Sequence, residues 1–316
     1  MTTKTATRKL ATPTHWLPGT RHPWPQDHYL TPYQDTPFTP RLKDLCWSLD
    51  WYSWSGYLAL NTVQDTELEY AAIRNAATLF DISPMTKYRI SGPDAEAFLD
   101  RLTVRSVAKQ TPGTVRYTAW CNEDGHVLDD GTLYRMSETE FRLCCQERQL
   151  SWLIESSLGF DVTVTDETDA IAGLALQGPT SFSVLKAAGF KGLDTLKPFG
   201  MVTVKLGRTE VLVSRTGFTG DLGYELFVTA RDALKLWDAL WDPGQLFGLR
   251  ATGFSAVNLA RLEAGFIMAQ TDFVPAAYAI RANRPMSPYE LGLGWMVDLN
   301  TGFFNGRAVR SANCPG

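Results

Sequence analysis

From residue 66 onward, apolar and polar residues follow each other in the periods of short helices and strands. Apolar residues three and four positions apart predict helices, whereas alternation over about four to eight residues predicts half-buried strands. A polar turn at 122–125 joins two of the strands into a hairpin. The predicted helices cover 66–79, 95–102, 151–157, 181–188, 233–241 and 256–264, and the predicted strands cover 88–90, 117–121, 127–136, 141–145, 172–176, 201–204, 210–215 and 224–228.

The order of these elements distinguishes between two fold classes. Helices and strands are mixed without a regular β-α-β alternation, and neighbouring strands form hairpins. This order favours an α+β fold, with antiparallel sheets and flanking helices, over a doubly wound parallel sheet. In the first helix, Thr66-x-x-Glu69 is a capping box, which predicts that the helix begins at Thr66.

The chain before residue 47 has a different pattern. Seven of the 17 prolines lie between Pro13 and Pro40, interleaved with aromatic residues. Proline at this density excludes helix, so residues 1–46 are predicted to form an extended arm that packs over a folded body. A dense aromatic segment follows at 47–57, and it is equally typical of a pocket wall for a flat ligand and of a corner of the core.

Composition and charge narrow the class of protein. The chain has 316 residues, enough for about two domains. Its 30 basic and 34 acidic residues give a formal charge of −4, which argues against a nucleic-acid-binding or anionic-membrane surface. No apolar run approaches the roughly 18 residues of a membrane-spanning helix. Because the segment from Met1 to Thr14 also lacks the apolar stretch of a secretory signal, we expect a cytoplasmic protein.

Common catalytic motifs are missing from the sequence. It contains no phosphate-binding loop, no dinucleotide fingerprint and no Gly-x-Ser-x-Gly elbow. The five cysteines form no Cys-x-x-Cys pair, and three of the four histidines lie in the proline-rich arm. We therefore expect neither a disulfide framework nor a metal site, and we expect the chemistry to depend on carboxylates.

Two adjacent carboxylates, Asp129 and Asp130, lie in an otherwise apolar strand that follows Gly125. Neighbouring strand residues point to opposite faces, so only one of the two faces the interior. An inward carboxylate costs several kcal/mol unless it has a partner, which makes it a candidate functional group. The spacing by itself favours a hairpin mouth, in which one acid caps backbone N–H groups and the other meets water.

A glycine-rich stretch, 215–225, carries the second candidate. Gly217, Gly220 and Gly223 recur at spacing three and allow the backbone to turn sharply and approach a flat ligand. Glu225 follows at the head of a strand, and a fixed carboxylate accepts two parallel N–H bonds from an amidine-like edge. The 2-amino-4-oxo edge of a pterin presents such a donor pair. The spacing by itself is more typical of an ordinary hairpin with a surface glutamate.

Together, these segments resemble the glycine-cleavage T-protein (aminomethyltransferase) family, which uses tetrahydrofolate as its one-carbon acceptor. The resembling segments keep the family's order over about residues 50–310, and the glycine-rich stretch combined with Arg-Leu-Glu-Ala-Gly is specific to it. They are found at 79–83, 117–122, 125–130, 176–180, 215–225 and 261–265.

The resemblance implies a role for each candidate carboxylate. Asp130 matches the family's catalytic aspartate, near folate N10 and the transferred carbon, and Glu225 matches the carboxylate that holds the pterin edge. The other predicted site residues are Tyr117, Gly217, Gly220 and Gly223 for the cofactor, and Trp51, Trp54 and Tyr57 for the substrate pocket, which Tyr117 also borders.

Departures from the family pattern also bear on the function. Val257 stands where the family has a folate-binding arginine, and the aromatic arm is an addition. The chain ends about where the family's C-terminal β-barrel should begin, so we expect that barrel to be missing. The predicted organisation is an arm (1–46), a folate-binding region of two intertwined subdomains that divide near residue 165 (47–310), and a tail (311–316).

These observations predict a tetrahydrofolate-dependent one-carbon transferase. The aromatic arm and Val257 favour a demethylase that moves a methyl group from a small S-, O- or N-methyl compound to tetrahydrofolate. One alternative is an aminomethyltransferase of the glycine cleavage system, with a lipoyl carrier protein as partner. A folate-binding protein without catalysis, and a fragment that is inactive without its barrel, are the others. In each case we expect no nucleic-acid or membrane partner.

Overall fold

The computed structural model of the protein describes residues 33–300 and 302–307. Most of the predicted arm and the whole predicted tail lie outside the described residues. The helices are α1 (Thr39–Leu45), α2 (Thr66–Asn75), α3 (Ala95–Leu102), α4 (Leu150–Ser156), α5 (Ser181–Ala187), α6 (Ala233–Gly244) and α7 (Phe254–Glu263). The strands are β1 (Gln34–Asp35), β2 (Trp51–Trp54), β3 (Tyr57–Leu60), β4 (Ala77–Asp81), β5 (Thr86–Ser91), β6 (Thr114–Cys121), β7 (Val127–Arg135), β8 (Glu140–Cys145), β9 (Thr163–Asp166), β10 (Ile171–Gln177), β11 (Met201–Leu206), β12 (Thr209–Ser214), β13 (Gly223–Thr229) and β14 (Leu249–Ala251).

Two large sheets form the body of the fold. One has six strands in the order β11-β12-β13-β10-β4-β14, with only β14 and β4 parallel, and the other has five antiparallel strands in the order β6-β7-β8-β5-β9. A small third sheet joins β1, β3 and β2. The predicted α+β class with antiparallel sheets is therefore confirmed. The six-stranded sheet takes strands from both sides of residue 165, because β4 lies between β10 and β14.

The two large sheets pack face to face through an apolar layer. Tyr134 of the five-stranded sheet meets Phe227 of the six-stranded sheet edge-on, with 5.7 Å between ring centroids. Val115 and Cys144 contribute from the first sheet and Ala175 from the second. Burial of this layer and of the outer faces supplies most of the hydrophobic stabilisation, at about 25 cal/mol per Å² of apolar surface. The site described below lies at this layer.

The strand and helix predictions from residue 88 onward are confirmed to within three positions at each end. Those at the start of the regular region need correction. Helix α2 is capped by Asp65, whose side chain accepts the N–H of Leu68 at 2.9 Å, and not by Thr66. Aspartate is at least as good a cap as threonine. Leu79 belongs to the buried strand β4 and not to the helix, which ends at Asn75.

The prediction that proline excludes helix from the arm is wrong at the arm's C-terminal end. Helix α1 begins at Thr39 and carries Pro40 in its first turn. Proline is tolerated there, because the first N–H groups of a helix have no intrahelical acceptor. The aromatic segment after it forms the β2–β3 hairpin, which the sequence pattern did not predict.

Candidate functional site

The adjacent acids of β7 are separated by the pleat of the strand. Asp130 is opposite Ala119 and Asp129 is opposite Trp120 on β6. Asp129 is fully buried and accepts the backbone N–H of Glu147 at 3.0 Å and that of Asp130 at 2.9 Å. Asp130 is partly exposed on the other face. The hairpin-mouth interpretation is therefore half right, since one acid does accept backbone N–H groups.

Asp130 has a hydrogen-bond partner that fixes its carboxylate. The hydroxyl of Tyr117, on β6, donates to Asp130 Oδ2 at 2.7 Å. Burial raises the pKa of Asp130 to about 6, the Tyr117 hydrogen bond opposes that rise, and the negative charge of Asp272 adds to it. Burial and the charge of Asp130 raise the pKa of Asp129 well above its usual range. With a pKa of about 6, Asp130 is charged at neutral pH, which is the form that a general base or a cation stabiliser needs.

Glu225 lies on β13 and faces the same apolar layer from the opposite sheet. Its Oε2 accepts two hydroxyl groups at 2.6 Å each, from Tyr134 and from Thr216. Burial raises the pKa of Glu225, and these two hydrogen bonds oppose that rise. Among the described residues no donor bonds its Oε1. The carboxylate is therefore held in one orientation with one oxygen available to a ligand.

Tyr134 connects the two carboxylates. It lies four positions after Asp130 on β7, so both side chains are on the same face of the strand. Four steps of about 3.3 Å each place the two Cα atoms about 13 Å apart. Since the Tyr134 hydroxyl contacts Glu225, Glu225 lies at the Tyr134 end of this face of β7, and Asp130 lies four residues away along the strand.

The predicted glycines approach protein groups closely. A Cβ at Gly217 would lie 2.0 Å from Gln177 Oε1, and a Cβ at Gly223 would lie 2.2 Å from the same atom. Gly220 has a φ of +81°, and a Cβ there would lie 2.9 Å from the Cβ of Ala264. The close approach that these glycines permit is therefore to Gln177 and α7. Their contact with the cofactor stays a prediction.

Replacement of Gly223 by alanine is expected to lower the free energy of unfolding by about 1–3 kcal/mol, because the added methyl group must displace the buried Gln177 amide. Urea unfolding of the variant and of the wild type measures the difference. Gly302→Ala is the control, since a Cβ at Gly302 meets no atom within 4 Å. Equal stability of the two variants would contradict the packing explanation.

Arg74, on α2, links two of the motifs that the resemblance brought together. It donates to the Thr219 carbonyl at 2.8 Å and to Asp221 at 2.5 Å in the glycine-rich stretch. It also donates to the Ala260 carbonyl at 3.2 Å and to Glu263 on α7. The sequence analysis did not identify Arg74, because these partners lie in the second half of the chain, far from α2 in sequence.

Arg261, the arginine of the Arg-Leu-Glu-Ala-Gly motif, holds an acid whose charge acts on Asp130. Arg261 is fully buried and donates to Asn258 at 2.9 Å, to the Phe266 carbonyl at 3.0 Å and to Asp272. The charge of Asp272 in turn acts on Asp130. The motif thus positions an acid near Asp130, a role that no spacing in the sequence indicates.

The three predicted substrate-pocket aromatics contact different neighbours in the structure. Trp51 borders a surface hollow of about 340 Å³ with Leu58. Trp54 stacks on Phe80 with 6.2 Å between ring centroids, and the Tyr57 hydroxyl bonds to Asp169. Trp54 and Tyr57 are directly opposite each other in the β2–β3 hairpin and share a face, whereas Trp51 is on the other face. Their role in a substrate pocket stays a prediction.

Two further properties concern the described residues as a whole. No group of three or more His, Cys, Asp or Glu side chains in this part of the chain could hold a metal ion. In the same part, no helix has the length and apolar character that crossing a membrane requires. Val257 is buried in the layer between the sheets, beside Ala256 and Ala260, so it acts as a core residue.

Comparison with known proteins identifies the family to which this fold belongs. Residues 47–301 match the family model described as the GCVT N-terminal domain. The chain is 33% identical over 264 residues to an aminomethyltransferase of Lysinibacillus sphaericus, covering 82% of this chain and 69% of that protein. It is 35% identical over 234 residues to one of Bacillus subtilis, covering 72% of this chain and 62% of that protein. The crystal structure of glycine cleavage system aminomethyltransferase T from Bartonella henselae matches with a TM-score of 0.78 at 25% identity, covering 89% of this chain and 74% of that one.

The fold and these matches define the class of the protein as a tetrahydrofolate-dependent transferase. Within that class, the chain belongs to the glycine-cleavage T-protein family. The family resemblance seen in the sequence is confirmed.

Proposed function

We propose that the chain transfers a one-carbon unit from an aminomethyl group on a lipoyl carrier protein to tetrahydrofolate bound between its two large sheets. The observation that carries the proposal is that Tyr134, which shares a face of β7 with Asp130, donates a hydrogen bond to Glu225 on the opposite sheet. The names of the relatives support aminomethyl transfer. The preference for a demethylase depended on Val257 and the aromatic arm. Val257 is a core residue, and most of the arm lies outside the described residues.

In this proposal Glu225 binds the pterin edge. Its carboxylate is oriented by the hydroxyls of Tyr134 and Thr216, both on Oε2. Both lone pairs of Oε2 are used by these hydroxyls, so Oε1, with its two lone pairs, accepts the N–H donors of the 2-amino-4-oxo edge. Because the carboxylate is fixed, these bonds restrain both the position and the orientation of the flat ring.

Asp130 acts at the reacting end of the folate. Its carboxylate is negative above about pH 6 and is held by Tyr117. A carboxylate in a poorly solvated site stabilises positive charge that develops on the folate nitrogen or on the one-carbon unit. The remaining acceleration comes from holding donor and acceptor in line and away from water.

The proposal is tested by mass spectrometry of folate products. Purified protein is incubated with tetrahydrofolate and either the aminomethyl-loaded carrier protein or a panel of S-, O- and N-methyl donors. We expect 5,10-methylene-tetrahydrofolate from the carrier and no product from the panel. Formation of 5-methyl-tetrahydrofolate from a methyl donor would instead establish the demethylase, and absence of any product would contradict both reactions.

Removal of the Tyr117 hydroxyl is expected to shift the pH dependence of kcat/KM. In the wild type, kcat/KM rises with pH through about 6 as Asp130 loses its proton. Tyr117 donates to the carboxylate and so favours the charged form. Tyr117→Phe therefore raises the pKa further, and the rising limb moves to higher pH by about one unit, the equivalent of one hydrogen bond of about 1.4 kcal/mol. A limb that stays in place or moves to lower pH would contradict the assignment to Asp130.

A further inference from the structure

A group of positive side chains lies at the edge strand β6, on the face away from Asp130. Arg116 precedes Tyr117 on this strand, so its side chain points to the opposite face. A hollow of about 300 Å³ at this edge is lined by Arg116, Arg105, Lys109 and Trp295, with Asp298 as the only acidic lining residue in the described part of the chain.

Each guanidinium at this hollow donates only one of its N–H groups to a hydrogen bond within the described residues. Arg105 Nη1 donates to the Tyr117 carbonyl at 2.9 Å, and Arg116 Nη1 donates to the Ser106 carbonyl at 2.5 Å. Neither forms an ion pair with a described carboxylate, whereas Asp298 lies 3.6 Å from Lys109. Since a guanidinium carries five N–H donors, most of the donors on Arg105 and Arg116 face the hollow or solvent.

The two arginines also repel each other. Partial burial lowers the pKa of both, and the charge of Arg116 lowers the pKa of Arg105 further. Asp100 is the acid whose charge acts on Arg116, and its Oδ1 is already bonded to the N–H of Val107 at 2.5 Å. Like charges held together in a poorly solvated place are unfavourable unless an opposite charge joins them. This local excess of positive charge stands against the formal charge of −4 of the whole chain.

Trp295 gives the hollow a flat, rigid wall. Its side chain is 65% exposed, and the Arg105 guanidinium lies over its ring at 5.3 Å from the centroid. Stacking restrains the plane of the guanidinium, so less rotamer freedom is lost when a ligand is bound.

We propose that this hollow is a binding site for a small oxyanion with at least two negative charges, either a polycarboxylate or a phosphate group. Two guanidinium forks bind such groups in the bidentate manner that a single ammonium does not reproduce. The site is separate from the Asp130–Glu225 space, because β6 lies between them, and it does not depend on the one-carbon reaction.

The test is isothermal titration calorimetry of the intact protein with citrate and, separately, inorganic phosphate at constant ionic strength. We expect saturable 1:1 binding of one of them, and the better probe identifies the carboxylate or the phosphate source. In the double variant Arg105→Gln/Arg116→Gln we expect the Kd to rise at least about tenfold, since the charge-assisted bonds of both guanidinium groups are lost.

A control variant with the same change of charge tests whether a loss of anion binding is specific to the hollow. Lys205→Gln/Arg208→Gln removes the same net charge from the exposed β11–β12 hairpin and should leave the Kd within about twofold. If the double arginine variant does not fold, Arg116→Gln alone is used, with thermal unfolding as the check of folding. Absence of saturable binding by both anions, or equal losses in the arginine and control variants, would overturn the proposal.

Discussion

Asp130→Asn is expected to lower kcat for one-carbon transfer by about 10²- to 10⁴-fold, while the Kd of tetrahydrofolate stays within about threefold. Asparagine keeps the shape of the side chain and an oxygen that accepts the Tyr117 hydroxyl at the position of Oδ2. It removes the negative charge, which the wild type carries above about pH 6. A loss confined to kcat means that the charge stabilises the transition state and not bound folate.

The measurement is steady-state transfer from the aminomethyl-loaded carrier protein, with calorimetric folate binding in parallel. Asp124→Asn, on the exposed hairpin turn beside β7, makes the same chemical change outside the site and should leave both quantities unchanged. A wild-type kcat for Asp130→Asn would show that Asp130 has no part in the reaction. A large rise in Kd at unchanged kcat would instead assign it to folate binding.

Much of the fold could be predicted from the sequence, because its elements have local causes. The helix over 95–102 and the hairpin with its turn at 122–125 depend on apolar periods and turn residues a few positions apart. The prediction failed where burial in the tertiary structure determines whether a segment forms a helix or a strand. Leu79 continues the helical period of α2, yet it lies in β4, a strand buried on both faces.

The candidate site could be predicted in its residue types but not in its geometry. The pattern around Asp129 and Asp130 shows that one acid faces inward, and only the burial of Asp129 in the folded structure shows which. The partner of Gly217 and Gly223 is Gln177, at the end of β10 and well before them in the chain. The glycine spacing therefore indicates that a close approach is needed there, but it does not identify the group that requires it. Tertiary partners of this kind leave no periodic signal.

The packing of the two sheets shows how two segments distant in sequence come together in the proposed folate site. β7 brings Asp130 and Tyr134 to the same face, and β13 brings Glu225 opposite Tyr134. The Tyr134 hydroxyl therefore links the two sheets and also restrains the carboxylate that is proposed to receive the pterin. A change at Glu225 should consequently affect the Kd of folate, and a change at Asp130 should affect the kcat of one-carbon transfer.

Glu225→Gln tests the role of Glu225 in folate binding. It is expected to raise the Kd of tetrahydrofolate by about 100-fold, the equivalent of about 2.7 kcal/mol. The glutamine oxygen remains an acceptor for the hydroxyls of Tyr134 and Thr216. Its NH₂ group then takes the position of Oε1 and faces an N–H donor of the pterin. One charge-assisted bond is lost, and two donors are left opposed in a poorly solvated site.

Anaerobic calorimetry with tetrahydrofolate measures the change, and Glu210→Gln, on the exposed side of β12, is the matched control. Tyr134→Phe should give a smaller rise in Kd, because it frees the carboxylate to rotate without removing it. With saturating folate, Glu225→Gln should recover much of the wild-type kcat, since the 2-amino edge that Glu225 binds is separate from the nitrogen that receives the one-carbon unit. An unchanged Kd would contradict the pterin assignment, and a kcat that stays low at saturation would mean that Glu225 also shapes the transition state.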